Sequence, residues 1–381
     1  MNRREWMKQI GGTAAGLMIG TGAQLPNSLS ESESEGSFHP RQVQGRVPPE
    51  GDAVLLDSNE NPLGPSPADR KVLMDAFNTS FRYPGEAYQM LVEQLAEKHD
   101  VTPDHIVMGT GSSEVLTMAG AAYGLDGGEV VTGRPSYKGL TGYARKMGGY
   151  VNAVPLTDEL KLDLEAMDQR TTASTTLVFV CNPNNPTGTV IDPGKLTAFV
   201  EEVSRRAVVF IDEAYYDFIE EEKQPSAIDL VRRGENVIVS RTFSKLFGMA
   251  GLRIGYGIAR PDIVERLDSY SMGMPNMVGL YAASESLRDT EFQEESCQKI
   301  TDARAYTEDV LNDMGMDYAD SQASFVFFRT GEDIKFFRRK MADQGVQVGR
   351  PFPPYTDWCR VSMGTMNQIK QFESALRAVT A

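Results

Sequence analysis

Short apolar runs alternate with stretches of helical periodicity between about Val101 and Ala259, and this alternation constrains the fold most strongly. An apolar run that is bounded by turns and followed by an amphipathic stretch is typical of a strand and its crossover helix. Repetition of that unit predicts an α/β fold in which helices cover both faces of a mostly parallel sheet. The candidate strands lie near Ile106, Val130, Val178, Val209, Val237 and Ile254.

Polar motifs follow two of these apolar runs directly. Asn182-Pro-Asn-Asn-Pro-Thr-Gly188 comes after the run Leu177 to Cys181, and Ile211-Asp-Glu-Ala-Tyr-Tyr216 comes after the run Ala207 to Phe210. In an open α/β sheet, ligands bind at the carboxyl ends of the strands. The sequence therefore predicts that these motifs lie at one binding edge of the sheet.

A glycine-rich turn precedes a predicted helix in the motif Gly109-Thr-Gly-Ser-Ser-Glu114, which follows the apolar stretch Ile106 to Met108. Unpaired amides and the helix dipole make such a helix start suitable for a phosphate dianion. A short Gly-Ser turn is also a common plain connection. The pattern alone leaves both interpretations open.

Single residues in these motifs have ordinary alternatives as well. Most lysines are solvated surface charges, so Lys245 in the run Ser240 to Arg253 is not informative by itself. Asp212 is placed to cap a turn, and Asn185 lies in a proline-rich loop where asparagine often only forms turns. Tyr137 could equally be an ordinary packing residue. Arg360 could be an exposed strand residue, although Cys359 and Val361 flank it with apolar groups.

Five motifs taken together resemble the fold-type I aminotransferases, and within them the histidinol-phosphate aminotransferase group. The resemblance runs from about Asp57 to the C-terminus, and the motifs occur in the family's order. They are Asn59-Glu-Asn-Pro-Leu-Gly-Pro-Ser-Pro67, Arg82-Tyr-Pro84, the Asn182 to Gly188 loop, Ser244-Lys245 at a predicted helix start, and Arg360-Val-Ser-Met-Gly-Thr365. The resemblance implies a seven-stranded, mostly parallel sheet, a smaller α+β domain and the cofactor pyridoxal 5'-phosphate.

The resemblance also implies how the cofactor is held. Lys245 would form the Schiff base, Asp212 would pair with the pyridine nitrogen, and Tyr137 would stack on the ring. Asn185 and Tyr215 match the residues that contact the phenolic oxygen. The positions that match the family's phosphate-binding residues are Gly111, Ser112, Ser113, Ser244 and Arg253, together with Tyr83 from the partner subunit of a homodimer with shared active sites.

Substrate binding is implied for three further residues, Arg360, Arg350 and Asn59. A guanidinium matches a carboxylate with two parallel hydrogen bonds, which makes Arg360 the expected carboxylate anchor. Arg350 is a candidate second anion contact, but a glycine stands where the group usually has its arginine. The segment Ser271 to Val278 also replaces the group's Asn-Val-Asn signature with methionines, which favour a more apolar wall.

The predicted activity is transfer of an amino group between an amino acid or amino-phosphate donor and a 2-oxo acid. Relatives with the same cofactor motifs use aromatic or other amino acids, which is one alternative. A pyridoxal phosphate lyase, decarboxylase or cyclase on the same fold is another. A non-catalytic binding protein is the third, and the intact set of cofactor residues argues against it.

Charge and composition exclude several other partners. The chain has 381 residues and a formal net charge of −15, which argues against nucleic-acid binding. With three histidines and three scattered cysteines, neither a metal site nor a disulfide framework is expected.

The N-terminus carries a separate signal. Asn2-Arg-Arg-Glu-Trp-Met-Lys8 and the weakly apolar run Ile10 to Ala23 resemble a twin-arginine export signal, and the run is too short and glycine-rich for a stable membrane anchor. We expect export, with a cytoplasmic protein that has a disordered basic start as the alternative. The expected organisation is a signal at 1–24, a flexible linker at 25–50, a large cofactor domain at 75–285, and a small domain at 51–74 plus 286–381.

Overall fold

The computed structural model describes residues 53–220 and 226–380. The predicted export signal and linker lie outside these residues. In the described part of the chain, no helix combines the length and the apolar character that a membrane crossing needs.

Strands and helices alternate through most of the described chain. The strands are β1 Val54–Leu56, β2 Ile106–Thr110, β3 Glu129–Arg134, β4 Tyr150–Pro155, β5 Thr175–Cys181, β6 Val208–Asp212, β7 Val237–Thr242, β8 Ile254–Ala259, β9 Phe325–Arg329, β10 Val346–Val348 and β11 Trp358–Ser362. The α-helices are α1 Pro67–Phe77, α2 Gly85–Lys98, α3 Ser112–Gly124, α4 Gly139–Lys146, α5 Leu164–Arg170, α6 Pro193–Val203, α7 Ile228–Arg232, α8 Pro261–Asp268, α9 Met277–Ser286, α10 Thr290–Asp313, α11 Ile334–Asp343 and α12 Met366–Thr380.

Seven strands form the central sheet in the order β2-β8-β7-β6-β5-β3-β4. All neighbouring pairs are parallel except the two that include β8, which runs antiparallel to β2 and to β7. This arrangement confirms the α/β fold with a mostly parallel seven-stranded sheet. Because β8 is reversed, its first residue lies at the edge where the other six strands end.

Strand β4 was not among the strand candidates. It lies at the end of the strand order, and most of its residues are only partly buried, with Tyr150 70% exposed. An edge strand needs fewer apolar residues than a central one, so its sequence does not stand out as an apolar run.

The two faces of the sheet are both buried. Along β5, Val178 and Val180 belong to one apolar core, whereas Leu177 and Phe179 belong to another. Successive side chains of a strand point to opposite faces, so a strand with a core on each side is apolar throughout. Helices α2 and α6 contribute to the first core, and α3 and α4 contribute to the second.

Two small sheets join distant parts of the chain. Strand β1 pairs in parallel with β10, and β9 pairs antiparallel with β11. Helix α10 is long, with 24 residues, and mostly polar. The proposed domain boundaries remain a prediction.

Candidate active site

The carboxyl edge of the central sheet brings the predicted motifs together. Cys181 ends β5 and Asp212 ends β6, and the two residues are direct partners in the sheet register. The reversed β8 begins at Ile254, which places Arg253 at the same edge. The glycine-rich turn before α3 follows β2 here as well.

Helix α3 begins at this edge with an anion-binding geometry. Gly111 precedes the helix with a φ of 75°, and a Cβ atom at this position would overlap the guanidinium of Arg253. Nη2 of Arg253 lies 3.4 Å from the Ser113 hydroxyl, and Nη1 lies 3.4 Å from the Ser244 hydroxyl. With Ser112 at the first turn, these groups gather hydroxyls, unpaired amides and a positive charge, as a phosphate requires.

Asp212 is a buried carboxylate, 3% exposed, at the centre of the edge. Its Oδ1 accepts a hydrogen bond of 3.0 Å from the Ser240 hydroxyl on β7. Burial raises the pKa of Asp212 to about 6, and the Ser240 hydrogen bond opposes that rise because it favours the ionised form. Such a carboxylate can stabilise a positive charge on a bound group.

Tyr215 and Asn185 form one hydrogen-bonded group with Asn59. The Tyr215 hydroxyl accepts hydrogen bonds from Nδ2 of Asn59 at 3.0 Å and from Nδ2 of Asn185 at 3.3 Å. All three residues are buried, and burial raises the pKa of Tyr215, which keeps the phenol neutral. Asn59 has a φ of 54° and is held by Ser362, whose hydroxyl accepts from the Asn59 amide and donates to its Oδ1.

Lys245 reaches into the same group. Its Nζ donates to the backbone carbonyl of Asn59 at 2.9 Å and lies 5.4 Å from the centre of the Tyr215 ring. Burial first, and then the positive charge of Arg360, lower the pKa of Lys245 to about 8. A lysine with this pKa is partly a neutral amine near neutral pH, and only the neutral amine is a nucleophile.

Arg360 belongs to strand β11. It is 7% exposed, and its Nη1 donates to Oδ1 of Asn185 at 2.8 Å while its Nη2 donates to the carbonyl of Asp57 at 2.6 Å. Its buried Nε has no hydrogen-bond partner in the described structure. Burial lowers the pKa of Arg360, and a buried guanidinium with an unused donor is suited to binding an anion.

Arg350 and Gly349 lie beside this arginine. The Gly349 amide donates to the backbone carbonyl of Arg360, and a Cβ at Gly349 would collide with that carbonyl. The Arg350 guanidinium lies 4.5 Å from the centre of the Phe352 ring, and the Arg360 guanidinium lies 5.1 Å from the same centre. The two arginines therefore share an aromatic neighbour, with Arg350 on the exposed side.

The two predicted tyrosine contacts differ in their surroundings. Tyr137 follows β3, is partly buried and is hydrogen-bonded to Ser113, which places it beside the start of α3. Tyr83 is 95% exposed. The expected helix start at Ser244-Lys245 was wrong: both residues lie in a series of turns, which Gly248 continues with a φ of 68°.

Sequence analysis did not assign two residues that hold the site. Ser240 supports Asp212, and Ser362 supports Asn59. Ser240 could have been noticed, because it is a polar residue directly after the apolar run Val237 to Val239 of β7. Ser362 stands inside the motif Arg360 to Thr365, but its partner Asn59 lies 303 positions away, and no sequence pattern links the two residues.

Comparison with known proteins gives one family. The family model for aminotransferase class I and II matches residues 51–376. A histidinol-phosphate aminotransferase from Moorella thermoacetica is 37% identical over 334 residues, which are 87% of this chain and 86% of the relative. An aromatic amino acid aminotransferase from Mycobacterium bovis is 36% identical over 337 residues, which are 87% of this chain and 94% of the relative.

A solved structure agrees with the sequence relatives. The histidinol-phosphate aminotransferase from Sinorhizobium meliloti, crystallised with pyridoxal 5'-phosphate, has a TM-score of 0.79 and 26% identity. The match covers 86% of this chain and 92% of that structure.

Proposed function

The chain belongs to the class I and II aminotransferases, and we propose that the residues at the carboxyl edge of its sheet are the active site. The protein is a transaminase that uses pyridoxal 5'-phosphate. The bound cofactor supplies an aldehyde that combines with amines and a ring that accepts electrons from the substrate's alpha carbon. The position of Lys245, between the proposed phosphate site and Arg360, is the observation that carries the proposal.

The residues fit this cofactor. The cradle of Gly111, Ser113, Ser244 and Arg253 provides the donors for a phosphate, and only glycine leaves room for the Arg253 guanidinium at position 111. Asp212 provides the buried negative charge that a protonated pyridine nitrogen needs. Tyr215 and Asn185 provide a hydroxyl and an amide for the phenolic oxygen.

Each residue then has a definite task in the proposed reaction. The neutral amine of Lys245 would hold the cofactor through its aldehyde and would be released by an incoming amino group. The released Nζ would then carry the proton of the substrate's alpha carbon. Arg360 fixes the substrate's carboxylate, so that the alpha carbon stays within reach of Nζ.

We propose that the natural amino donor carries an anionic group other than an alpha-carboxylate. This group is either the phosphate of histidinol phosphate, which has no carboxylate, or the side-chain carboxylate of an acidic amino acid. Support comes from Arg350, which lies beside Arg360 across Phe352, and from the likeness to histidinol-phosphate aminotransferases. The collision that a side chain at Gly349 would cause explains why the cationic side chain stands at position 350. The Mycobacterium bovis relative makes an aromatic amino acid the competing donor.

A half-reaction screen tests the donor. The holoenzyme is mixed with histidinol phosphate, glutamate or phenylalanine, and the loss of the cofactor's visible absorbance is followed. We expect Arg350→Gln to slow the reactions of histidinol phosphate and of glutamate about tenfold, which is the size of one charged hydrogen bond, and to leave the reaction of phenylalanine unchanged. Faster conversion of phenylalanine than of either anionic donor by the wild type would contradict the proposal.

We also propose a homodimer with shared active sites. Tyr83 follows a stretch with several exposed large apolar side chains, Met74 and Phe77 on α1 and Phe81 after it. Exposed apolar patches mark protein interfaces. A mixed dimer of Tyr83→Ala and Lys245→Ala chains would contain one intact site, so it should turn over faster than either parent protein. Wild-type chains that sediment as monomers would rule this out.

Export by the twin-arginine route is the last proposal, and it rests on the N-terminal sequence alone. A protein that must fold around a cofactor before it leaves the cytoplasm suits that route. Cell fractionation of the full chain and of a variant with Arg3→Lys and Arg4→Lys tests it. Equal cytoplasmic retention of both proteins would count against export.

A further inference from the structure

Ser240 is a buried polar residue in a strand that otherwise starts as an apolar run. It is fully buried, and it follows Val237, Ile238 and Val239 on β7. Serine has a weak preference for strands, and burial of a hydroxyl costs free energy unless the hydroxyl is hydrogen-bonded. Alanine would fill the same space without that cost. A hydrogen bond that is useful to the protein would explain why serine, and not alanine, is found at this position.

The partner of this hydroxyl is the carboxylate of Asp212. The two residues are direct partners in the parallel register of β6 and β7, and the Ser240 hydroxyl donates to Oδ1 at 3.0 Å. The Ser240 backbone carbonyl also accepts the Glu213 amide. Both contacts come from the sheet itself, so Ser240 and the end of β6 have a fixed relative position.

Other groups that act on Asp212 come from each neighbouring element. The Ala214 amide donates to the carboxylate, Lys245 lies in the turns after β7, and Glu213 is the first residue after β6. The groups whose own ionisation responds to Asp212 are Cys181 on β5, Tyr137 after β3 and Tyr215 after β6. The Asp212 carboxylate therefore has two hydrogen-bond donors among these neighbours, the Ser240 hydroxyl and the Ala214 backbone amide. Only the hydroxyl can be removed by a substitution.

We propose that Ser240 is a positioning residue that keeps Asp212 ionised and directs its other oxygen, Oδ2, at the cofactor's pyridine nitrogen. A donor on Oδ1 disfavours protonation of the carboxylate, because the protonated form would lose that hydrogen bond. The shared proton then stays on the ring nitrogen, and a protonated ring accepts electrons better. This inference rests on the role of Asp212 in the proposed function.

Nitrogen NMR of the holoenzyme tests the proposal directly. Loading with cofactor that carries ¹⁵N in the ring makes the chemical shift report how much of the nitrogen is protonated. In Ser240→Ala, we expect the ratio of protonated to neutral nitrogen to fall about tenfold, the effect of one hydrogen bond to a charged group. Ser240→Thr keeps the hydroxyl and should restore the wild-type shift.

The controls separate this role from folding. Ser286→Ala removes another buried serine that donates to a carboxylate, Oδ2 of Asp69 at 3.2 Å, and should leave the nitrogen shift unchanged. If Ser240→Ala fails to fold, Ser240→Cys provides a weaker donor of similar size and should give an intermediate shift.

Two outcomes would overturn the inference, and they differ in whether the proposed role of Asp212 also fails. If Asp212→Asn changes the nitrogen shift but Ser240→Ala does not, Ser240 has no positioning role, while the role of Asp212 stands. If Asp212→Asn also leaves the shift unchanged, the proposed role of Asp212 fails and the inference fails with it.

Discussion

Lys245→Ala is expected to lower the rate of transamination by at least about 10⁴-fold, because the substitution removes both the nucleophile and the proton carrier. Among the described residues, the buried carboxylate of Asp212 is hydrogen-bonded to Ser240 and does not replace Nζ. Stopped-flow measurement of the half-reaction with glutamate gives the rate, and the cofactor's visible absorbance shows the loss of the covalent link. Thermal unfolding should be little affected.

Two controls make this result specific. Lys195→Ala removes an exposed lysine on α6 and should keep full activity. A small primary amine added in solution should restore part of the rate of Lys245→Ala, because it can carry the proton that Nζ carried. A Lys245→Ala protein that retained more than a hundredth of the wild-type rate would contradict the assignment.

The pH dependence of cofactor binding gives an independent check on Lys245. Its pKa is lowered to about 8 by burial and by Arg360, so about one amine in ten is neutral at pH 7, compared with fewer than about one in a thousand for an ordinary lysine. Covalent capture of the aldehyde by the apoprotein should therefore speed up with rising pH and level off above about pH 8. A rate that rose steadily to pH 10 would show an unperturbed lysine.

The sequence predicts the sheet edge because that part of the fold depends on local patterns. Asp212 and Asn185 each follow an apolar run that is long enough to be a central strand, and parallel strands bring their ends together. The amino-acid order is enough for this step. This prediction does not depend on contacts between side chains that are distant in the sequence.

Contacts between distant segments could not be predicted in the same way. Arg360 meets Asn185 across 175 positions and meets Asp57 across 303 positions. Hydrophobic periodicity reports which face of an element is buried, but it does not say which other element covers that face. The turn geometry at Lys245 also escaped, since a Ser-Lys pair after a strand is equally compatible with a helix start.

Arg360 shows why these long-range contacts matter for function. Asp57, just after β1, and Asn185, in the loop after β5, each accept a hydrogen bond from one of its nitrogens. The third nitrogen, Nε, has no partner in the described structure. Its guanidinium is thus oriented before a substrate arrives. Because the side chain is already ordered, it loses little conformational entropy when it binds the substrate's carboxylate.

Arg360→Gln is expected to lower kcat/KM for amino acid donors by about 10³-fold, because two charged hydrogen bonds to the carboxylate contribute about 1.5–3 kcal/mol each. The loss should be small for a primary amine that has no carboxylate, which separates substrate binding from damage to the site. Arg329→Gln, on the paired strand β9, removes an exposed arginine that bonds Asp357 and should change neither value. Steady-state kinetics with both kinds of donor gives the answer. An equal loss for both would mean that Arg360 only supports Asn185, and carboxylate binding would then have to be assigned to another cation.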